Sequence, residues 1–462
     1  MTPLYLSGTL RRLEQTHAQH RPPLIELAGR AIADWLLAQY RGRRFGLLAG
    51  PGNNGADALH CAGHLRDAGQ TVCIWMPYGP DAGPAPPAGL ADCDVIVDGL
   101  FGLGLSRDLA PDLVAGLRAI DALGKVIVAI DAPSGLDADR GVARPYALHA
   151  DHTLAMLARK PGYYTADGRD HCGKVHLLEL LPGIAPAADA VLVDAPPSQP
   201  SLRRRHASHK GSHGTLAIVG GAAGMAGAAL LAGRMAARAG AGKVFVGLLD
   251  PALSVDPLQP ELMLRPAGEL LSQAVDVVAV GPGLGQSRDA AALLAALLDA
   301  DLPLVLDADA LNLIAASGPL QGKLRGRGAP SLITPHPAEA ARLLGVTTAE
   351  VQRDRLEAAH RLVVQLGCTV LLKGSGTVCA DGESTSINAS GNGALGAAGQ
   401  GDLLAGLIAA LWVQGLAPIA AARLGAYVHG RAADEWRERH PNGLGLCASE
   451  LIAPIRALLN GI

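Results

Sequence analysis

FGLLAGPGNNGADAL, residues 45–59, passes from a continuous apolar run through a Gly/Asn turn into a helical pattern. A strand that is apolar at every position, not at alternate ones, belongs to a sheet covered on both faces. Such sheets are parallel and are built from strands alternating with helices. Working outward, the pattern recurs as VCIWM (72–76), DVIVDGLFG (94–102), KVIVAIDAPSG (125–135) and HTLAML (152–157). Upstream, Leu24, Ile25, Leu27, Ile32, Leu36 and Leu37 repeat at helical spacing behind Pro22-Pro23, a helix start, so residues 10–40 read as a helical lead-in.

The alternation stops at LPGIAPAADAVLVDAPPSQPSLRRRH (181–206), rich in Pro and Ala and closed by three arginines. This composition marks a junction between two domains, 1–198 and 203–462. The arginine run reads as solvated linker, with a phosphate patch as the alternative. After His213 the pattern restarts with TLAIVGG (215–221), KVFVGLL (243–249), DVVAVGPG (276–283), LPLVLDADA (302–310), PSLITPHP (330–337) and TVLLKGSG (369–376), and ends in a long apolar helix from Asp402. The fold expected is α/β in both halves, with ligands at the carboxyl ends of the strands.

Composition limits the function. A formal net charge of −3 offers no field to concentrate polyanions and argues against a general nucleic-acid binder. The seven cysteines are scattered and never form C-x-x-C, which fits a reducing cytoplasm and neither disulfides nor a zinc site. Arg11, Arg12 and Glu14 interrupt any signal-peptide core. The apolar stretch Leu403–Val413 is shorter than the roughly 20 residues a bilayer requires. A cytoplasmic protein with small-molecule partners and no membrane is expected, and its Ala-rich composition is compatible with a homo-oligomer.

Four clusters in the first half follow strands: GPGNNGADAL (50–59), VDGLFGLGLSRD (97–108), IDAPSGLDAD (130–139) and LARKPG (157–162). The first reads either as a loop whose amides and helix start approach a phosphate or as a plain Gly/Asn turn. Asn54, Asp98 and Ser134 offer oxygen ligands only, which suits a hard cation. Asp131 and Lys160 add an acid/base pair, or else a turn cap and an ion pair. In this order N-N-G-x-D, V-D-x-L-x-G-x-G-L, D-x-P-S-G and K-P-G resemble the NAD(P)H-hydrate epimerase family over roughly residues 5–190. The resemblance implies a Rossmann-like three-layer domain in which Asn53, Asn54, Gly55, Ala56 and Asp57, with Gly102, Leu103, Gly104, Leu105, Ser106, Arg107 and Asp108, contact the damaged dinucleotide. It further implies that Asn54, Asp98 and Ser134 hold K⁺ and that Asp131 acts at the reacting ring. Ala56 stands where the family has Gly, and Leu103 where it has Thr.

The second half carries SHKGSHG (208–214), GGAAGMAGA (220–228), GPGLG (281–285), DADALN (307–312), TPHPAE (334–339), KGSGT (373–377) and GQGD (399–402). A G-x-G-D turn opening an apolar helix aims free N–H groups at developing phosphate charge and sets a carboxylate beside it. Asp402 then serves as general base on an attacking hydroxyl, or as a helix N-cap. His336, between two prolines, is expected in a loop facing ligand, with a loop histidine satisfied by its neighbours as the alternative. The set resembles the NAD(P)H-hydrate dehydratase family, of ribokinase-like fold, over roughly residues 203–460. The resemblance implies ADP- or ATP-dependent dehydration with Mg²⁺, the hydrates NADHX and NADPHX meeting Ala228, Gly283, His336 and Asp402. The nucleotide would meet Lys373, Gly374, Ser375, Gly376, Thr377 and Gly401. Here Ala397, Ala398 and Gln400 depart from the family's loop before G-D.

Two alternatives follow from the same residues: a ribokinase-like kinase for a small alcohol, and a silent dinucleotide-binding protein. The N-N-G-x-D and D-x-P-S-G clusters count against the first, and Asp131, Lys373 and Asp402 against the second.

Overall fold

The computed structural model describes residues 1–78, 83, 85–105, 107–183, 186–197 and 202–461. The chain divides into two compact units, Thr2–Val191 and Leu192–Ile462, the second also containing Met1.

The first unit begins with β1 (Thr2–Leu4), whose Leu4 carbonyl accepts from Asp189 N–H. Its sheet contains β2 (Phe45–Ala49), β3 (Val72–Trp75), β4 (Val95–Gly99), β5 (Val126–Ile130), β6 (His152–Met156) and β7 (Lys174–Leu178) in the order β3-β2-β4-β5-β6-β7, parallel throughout. Alternate residues of a strand point to opposite faces. Accordingly Val128 and Ile130 of β5 pack into one apolar core, Ile127 and Ala129 into another. Both faces are dry, which is why the strands read as unbroken apolar runs.

In the second unit β9 (Thr215–Gly220), β10 (Lys243–Leu248), β11 (Met263–Pro266), β12 (Val277–Val280), β13 (Leu304–Leu306), β14 (Ser331–Ile333), β15 (Thr369–Leu372), β16 (Val378–Ala380) and β17 (Thr385–Asn388) run in the order β17-β16-β15-β14-β13-β12-β9-β10-β11. The pairs from β11 to β15 are parallel, and β15-β16-β17 are antiparallel. Leu216 and Ile218 face one core and Ala217 and Val219 the other. The helix Gln400–Val413 is buried along nearly its whole length, so it lacks a polar face. β8 (Ala190–Val193) falls in the stretch read from sequence as linker, where its apolar residues were outweighed by the surrounding prolines.

The topology places the sites. In the first sheet the chain moves from β2 to β3 and returns to the other side of β2 with β4. In the second it leaves β9 for β10 and returns beside β9 with β12. At such a switch the loops leaving the two central strands part and open a crevice at their carboxyl ends.

Candidate active sites

At the carboxyl edge of the first sheet a cleft of about 340 Å³ is lined by Asn53, Asn54, Asp57, Gly102, Leu103, Gly104, Leu105 and Asp131, together with Arg11 and Glu14. Gly102 lies between two of these groups: a Cβ there would sit 3.1 Å from both Asn54 Cγ and Asp131 Oδ2. Gly55 is buried, and a Cβ on it would strike Gly50 O at 1.9 Å, so it closes the turn and does not line the cleft. Ala56, Arg107 and Asp108 are also outside the lining, Asp108 lying 4.0 Å from Arg144. Ser106 lies outside the described residues.

Asp131 follows β5 with φ +65°, a left-handed conformation that costs an Asp on the order of 1–3 kcal/mol unless neighbours hold it. They do: its N–H donates to Leu154 O at 2.8 Å and its carbonyl accepts from the Tyr163 hydroxyl. Its carboxylate accepts from Lys160 Nζ, which is fully buried and also donates to Met156 O at 2.9 Å. Asp131 and Lys160 therefore form a buried ion pair.

Asp57 contrasts with this pair. Burial, then the charges of Asp131 and Glu14, push its pKa up to about 8. Glu14 is raised as well, by burial and then Asp131. Glu14 and Arg11 escaped the sequence reading because their helix, Ser7–Thr16, carries no motif. It is clamped over the edge by Ser7, which donates to Asp139 through N–H and hydroxyl, and by Arg11 Nη2, which donates to Leu103 O at 2.9 Å.

Beneath the cleft Asp98 is fully buried. Its oxygens accept from Ser134 N and Oγ at 2.6 Å and from Leu100 N at 3.2 Å, while Ser134 Oγ accepts from Phe101 N. Burial raises Asp98 to about 6 despite those bonds, and no cationic side chain reaches it among the described residues. Asn54 donates to Ile130 O, and its amide oxygen has no hydrogen-bond partner among the described residues. A desolvated carboxylate with hydroxyl and amide oxygens nearby is a donor set that fits a large hard cation. No group of three or more His, Cys, Asp or Glu is placed to hold a metal ion among the described residues.

In the second unit the glycine clusters after β9 and β12 interlock: Gly221 N–H donates to Pro282 O and Ala222 N–H to Gly283 O. A Cβ on Gly283 would come within 3.2 Å of Ala228 Cβ, which makes these two predicted residues neighbours. Lys373, after β15, donates to Asp307 Oδ1 at 2.7 Å and lies 4.0 Å from Glu339. Burial opposes its charge, but Asp307 and Glu339 prevail and its pKa is raised. Gly401 brings the start of the helix Gln400–Val413 against this pair, since a Cβ there would meet Lys373 Nζ at 3.2 Å. Asp402 is the third residue of that helix and does not cap it; Gly399, at φ +84°, holds the N-cap position. Burial and then Asp307 raise the Asp402 pKa to about 6, with Lys373 pulling it down.

His336 lies in the loop before the helix Pro337–Leu344 and also serves as that helix's N-cap. Its Nδ1 accepts from Ala338 N and Glu339 N, and its Nε2 lies 3.1 Å from Glu339 Oε1. The SHKGSHG segment lies before β9, at the edge opposite Asp402. Arg355 was missed altogether: buried in the helix Arg355–Leu366, it donates to the carbonyls of Leu372, Lys373 and Gly376 and so shapes the KGSGT loop. A Cβ on Gly374 would strike its guanidinium at 2.7 Å. Gln400, where the chain departs from the family loop, accepts through Oε1 from His429 Nε2 at 2.9 Å, while its own Nε2 is buried without a partner among the described residues.

The family described as NAD(P)H-hydrate dehydratase matches residues 216–455, and that described as YjeF-related protein N-terminus matches 22–85 and 80–162. A bifunctional NAD(P)H-hydrate repair enzyme from Coxiella burnetii is 35% identical over the full length of both chains. One from Leishmania major is 37% identical across 95% of this chain and 89% of its own. An ADP/ATP-dependent NAD(P)H-hydrate dehydratase from Bacillus subtilis, crystallised with ATP/Mg²⁺, is 33% identical with TM-score 0.50, covering 56% of this chain and 93% of its own. Full-length identity to the bifunctional proteins, with both family matches in one chain, shows that it belongs to the bifunctional NAD(P)H-hydrate repair enzymes.

Proposed function

We propose that the first unit epimerises hydrated NADH and NADPH and that the second dehydrates one epimer with ADP or ATP as phosphoryl donor. The observation that carries this reading is shared by both units: a lysine neutralises one carboxylate at the carboxyl edge and leaves a second, half-buried carboxylate with a raised pKa beside it. Environments that push paired carboxylates apart in pKa divide acid and base roles between them.

In the second unit Asp402 accepts the proton of the ring hydroxyl as its oxygen bonds to the donor's terminal phosphorus, and the bond to the bridging oxygen breaks. The phosphate then leaves the ring carbon with its bonding pair, and loss of a proton from the adjacent carbon restores the double bond. The free N–H groups at the start of the helix Gln400–Val413 stabilise the transferring charge. The loop Lys373–Thr377, held by Arg355, and Gly401 receive the nucleotide. Ala228, Gly283 and the His336 ring border the hydrate. Mg²⁺ requires only one or two carboxylates when phosphates supply its other ligands; Asp309, which accepts from Gly285 N–H at 2.8 Å and whose charge acts on Asp402, would hold it, and its charge would offset that of the phosphates.

In the first unit Asp57 carries a proton near neutral pH, while Asp131 is held in its ion pair with Lys160. Asp57 protonates the ring hydroxyl as it departs, and water returning on the other face restores that proton. The cleft residues Asn53, Asn54 and Gly102–Leu105 hold the dinucleotide. K⁺ would be held by Asn54, Asp98 and Ser134 and would compensate the buried carboxylate. Epimerisation is useful because a site with one hydroxyl-to-Asp402 geometry processes only one epimer. The near-neutral charge supports small-molecule partners. Seven unpaired cysteines, and the absence of any helix long and apolar enough to cross a membrane among the described residues, support a cytoplasmic setting.

The test supplies an epimeric hydrate mixture with Mg²⁺ and ADP or ATP and follows the return of dihydronicotinamide absorbance. Complete recovery is expected. A stop at one epimer's share would overturn the epimerase assignment, and nucleotide consumption without recovery would overturn the dehydratase.

A further inference from the structure

The arginine run and the SHKG segment are not used by either reaction, and both border one cavity. A cleft of about 1300 Å³ opens at the amino edge of the second sheet, where β10 begins at Lys243 and β11 at Met263. Asp307 and Lys373 follow the carboxyl ends of parallel strands in that sheet, so the cleft is separate from the Asp402 site. Its cationic lining consists of Arg203, Arg204, Lys210, Arg238, Lys243 and Arg456, set against one carboxylate, Glu261. Glu261 accepts from the Gln259 amide. None of the six cations forms an ion pair among the described residues.

The cleft is shaped for close approach. A Cβ on Gly242 would strike Lys210 O at 1.8 Å, and one on Gly240, at φ +105°, would meet Arg204 Nη2 at 3.2 Å. Glycine at these positions lets the basic residues converge, and Arg204 is anchored by donating to Gly240 O at 2.6 Å. Arg238 Nε donates to Gln259, which fixes the direction of its guanidinium. Phe245, Met263, Leu202 and Leu459 supply apolar wall.

Six cations without an ion pair among the described residues, gathered around a cavity of this size, suit phosphoryl oxygens, which guanidinium and ammonium groups bind by charge-assisted hydrogen bonds. We propose that this cleft binds an anion carrying two or more phosphoryl groups, at a site separate from that of Asp402. Inorganic triphosphate is the probe, titrated calorimetrically into the full chain. Binding that weakens with added salt is expected, because exposed charges are screened. It should fall about tenfold or more in Arg238→Ala/Lys243→Ala/Arg456→Ala, the scale of losing charge-assisted contacts, and should persist in Lys373→Met. Thermal melting checks folding, and Arg203→Ala/Arg204→Ala gives an independent variant on an exposed segment. Binding unchanged in the cleft variants, or lost only in Lys373→Met, would overturn the proposal. Neither outcome depends on hydrate turnover.

Discussion

The two units solve the same electrostatic problem in opposite ways. Each places a carboxylate and a lysine at the carboxyl edge of a parallel sheet, Asp131 with Lys160 and Asp307 with Lys373. In the first unit the paired Asp131 lines the cleft, and its negative charge helps hold the neighbouring Asp57 protonated to about pH 8. In the second the paired Asp307 likewise raises its neighbour Asp402, but here the lysine, Lys373, also reaches that neighbour and offsets part of the rise, which stops at about 6. The same pair thus leaves a proton donor beside it in one unit and a proton acceptor in the other. The role of a carboxylate is set by which neighbour is neutralised, not by the motif that carries it.

The comparison can be broken at its strongest point first. Asp402→Asn should reduce nucleotide-dependent recovery by roughly 10²–10⁴-fold, the usual contribution of a general base, with equilibration of the two hydrate epimers unchanged when followed by chromatography. Equal loss of both would mean the units do not work separately.

Asp131→Ala strands the fully buried Lys160, and breaking a buried pair costs about 3–5 kcal/mol. Denaturant unfolding should show that loss in the first unit, and epimer equilibration should fail, while a pure substrate epimer is still dehydrated.

Lys373→Met tests the opposite sign. Activity that needs ionised Asp402 is lost as pH falls through about 6. Removing the cation that lowers this pKa should move the limb to higher pH. An unmoved limb would show that Asp402 is not the titrating base.

The smallest effect concerns Asp57. Its folded pKa lies above the unfolded value of 3.8, so between about pH 4 and 8 the folded state holds a proton that the unfolded state releases. Stability then falls as pH rises through that window. Asp57→Asn should flatten the dependence, measured as melting temperature against pH.

Much of this architecture was legible beforehand. The central strands β2, β4, β5, β9, β12, β13, β14 and β15 all lie in quoted apolar runs, because strands buried on both faces leave an unbroken signal. β7, β16 and β17 were not read. Lys174–Leu178 carries Lys and His on a partly exposed strand, and the β16–β17 hairpin is short, with polar Ser and Thr, so neither shows that signal. The candidate sites were legible where a glycine turn marks them, as at Asn54, Gly102, Lys373 and Asp402. Glu14 and Arg355 act through distance in space, on helices whose sequence resembles ordinary solvated helix; Glu339 lies in the quoted TPHPAE cluster, but its approach to Lys373 is not written there.

The order of amino acids settles the βα alternation, the position of the strand-end loops and the family, since apolar periodicity and turn glycines are local properties of the chain. Only the tertiary structure decides which carboxylates are neutralised and which hold a proton. That depends on burial and on charges brought together from segments as far apart as Asp307 and Lys373, and no local pattern encodes it.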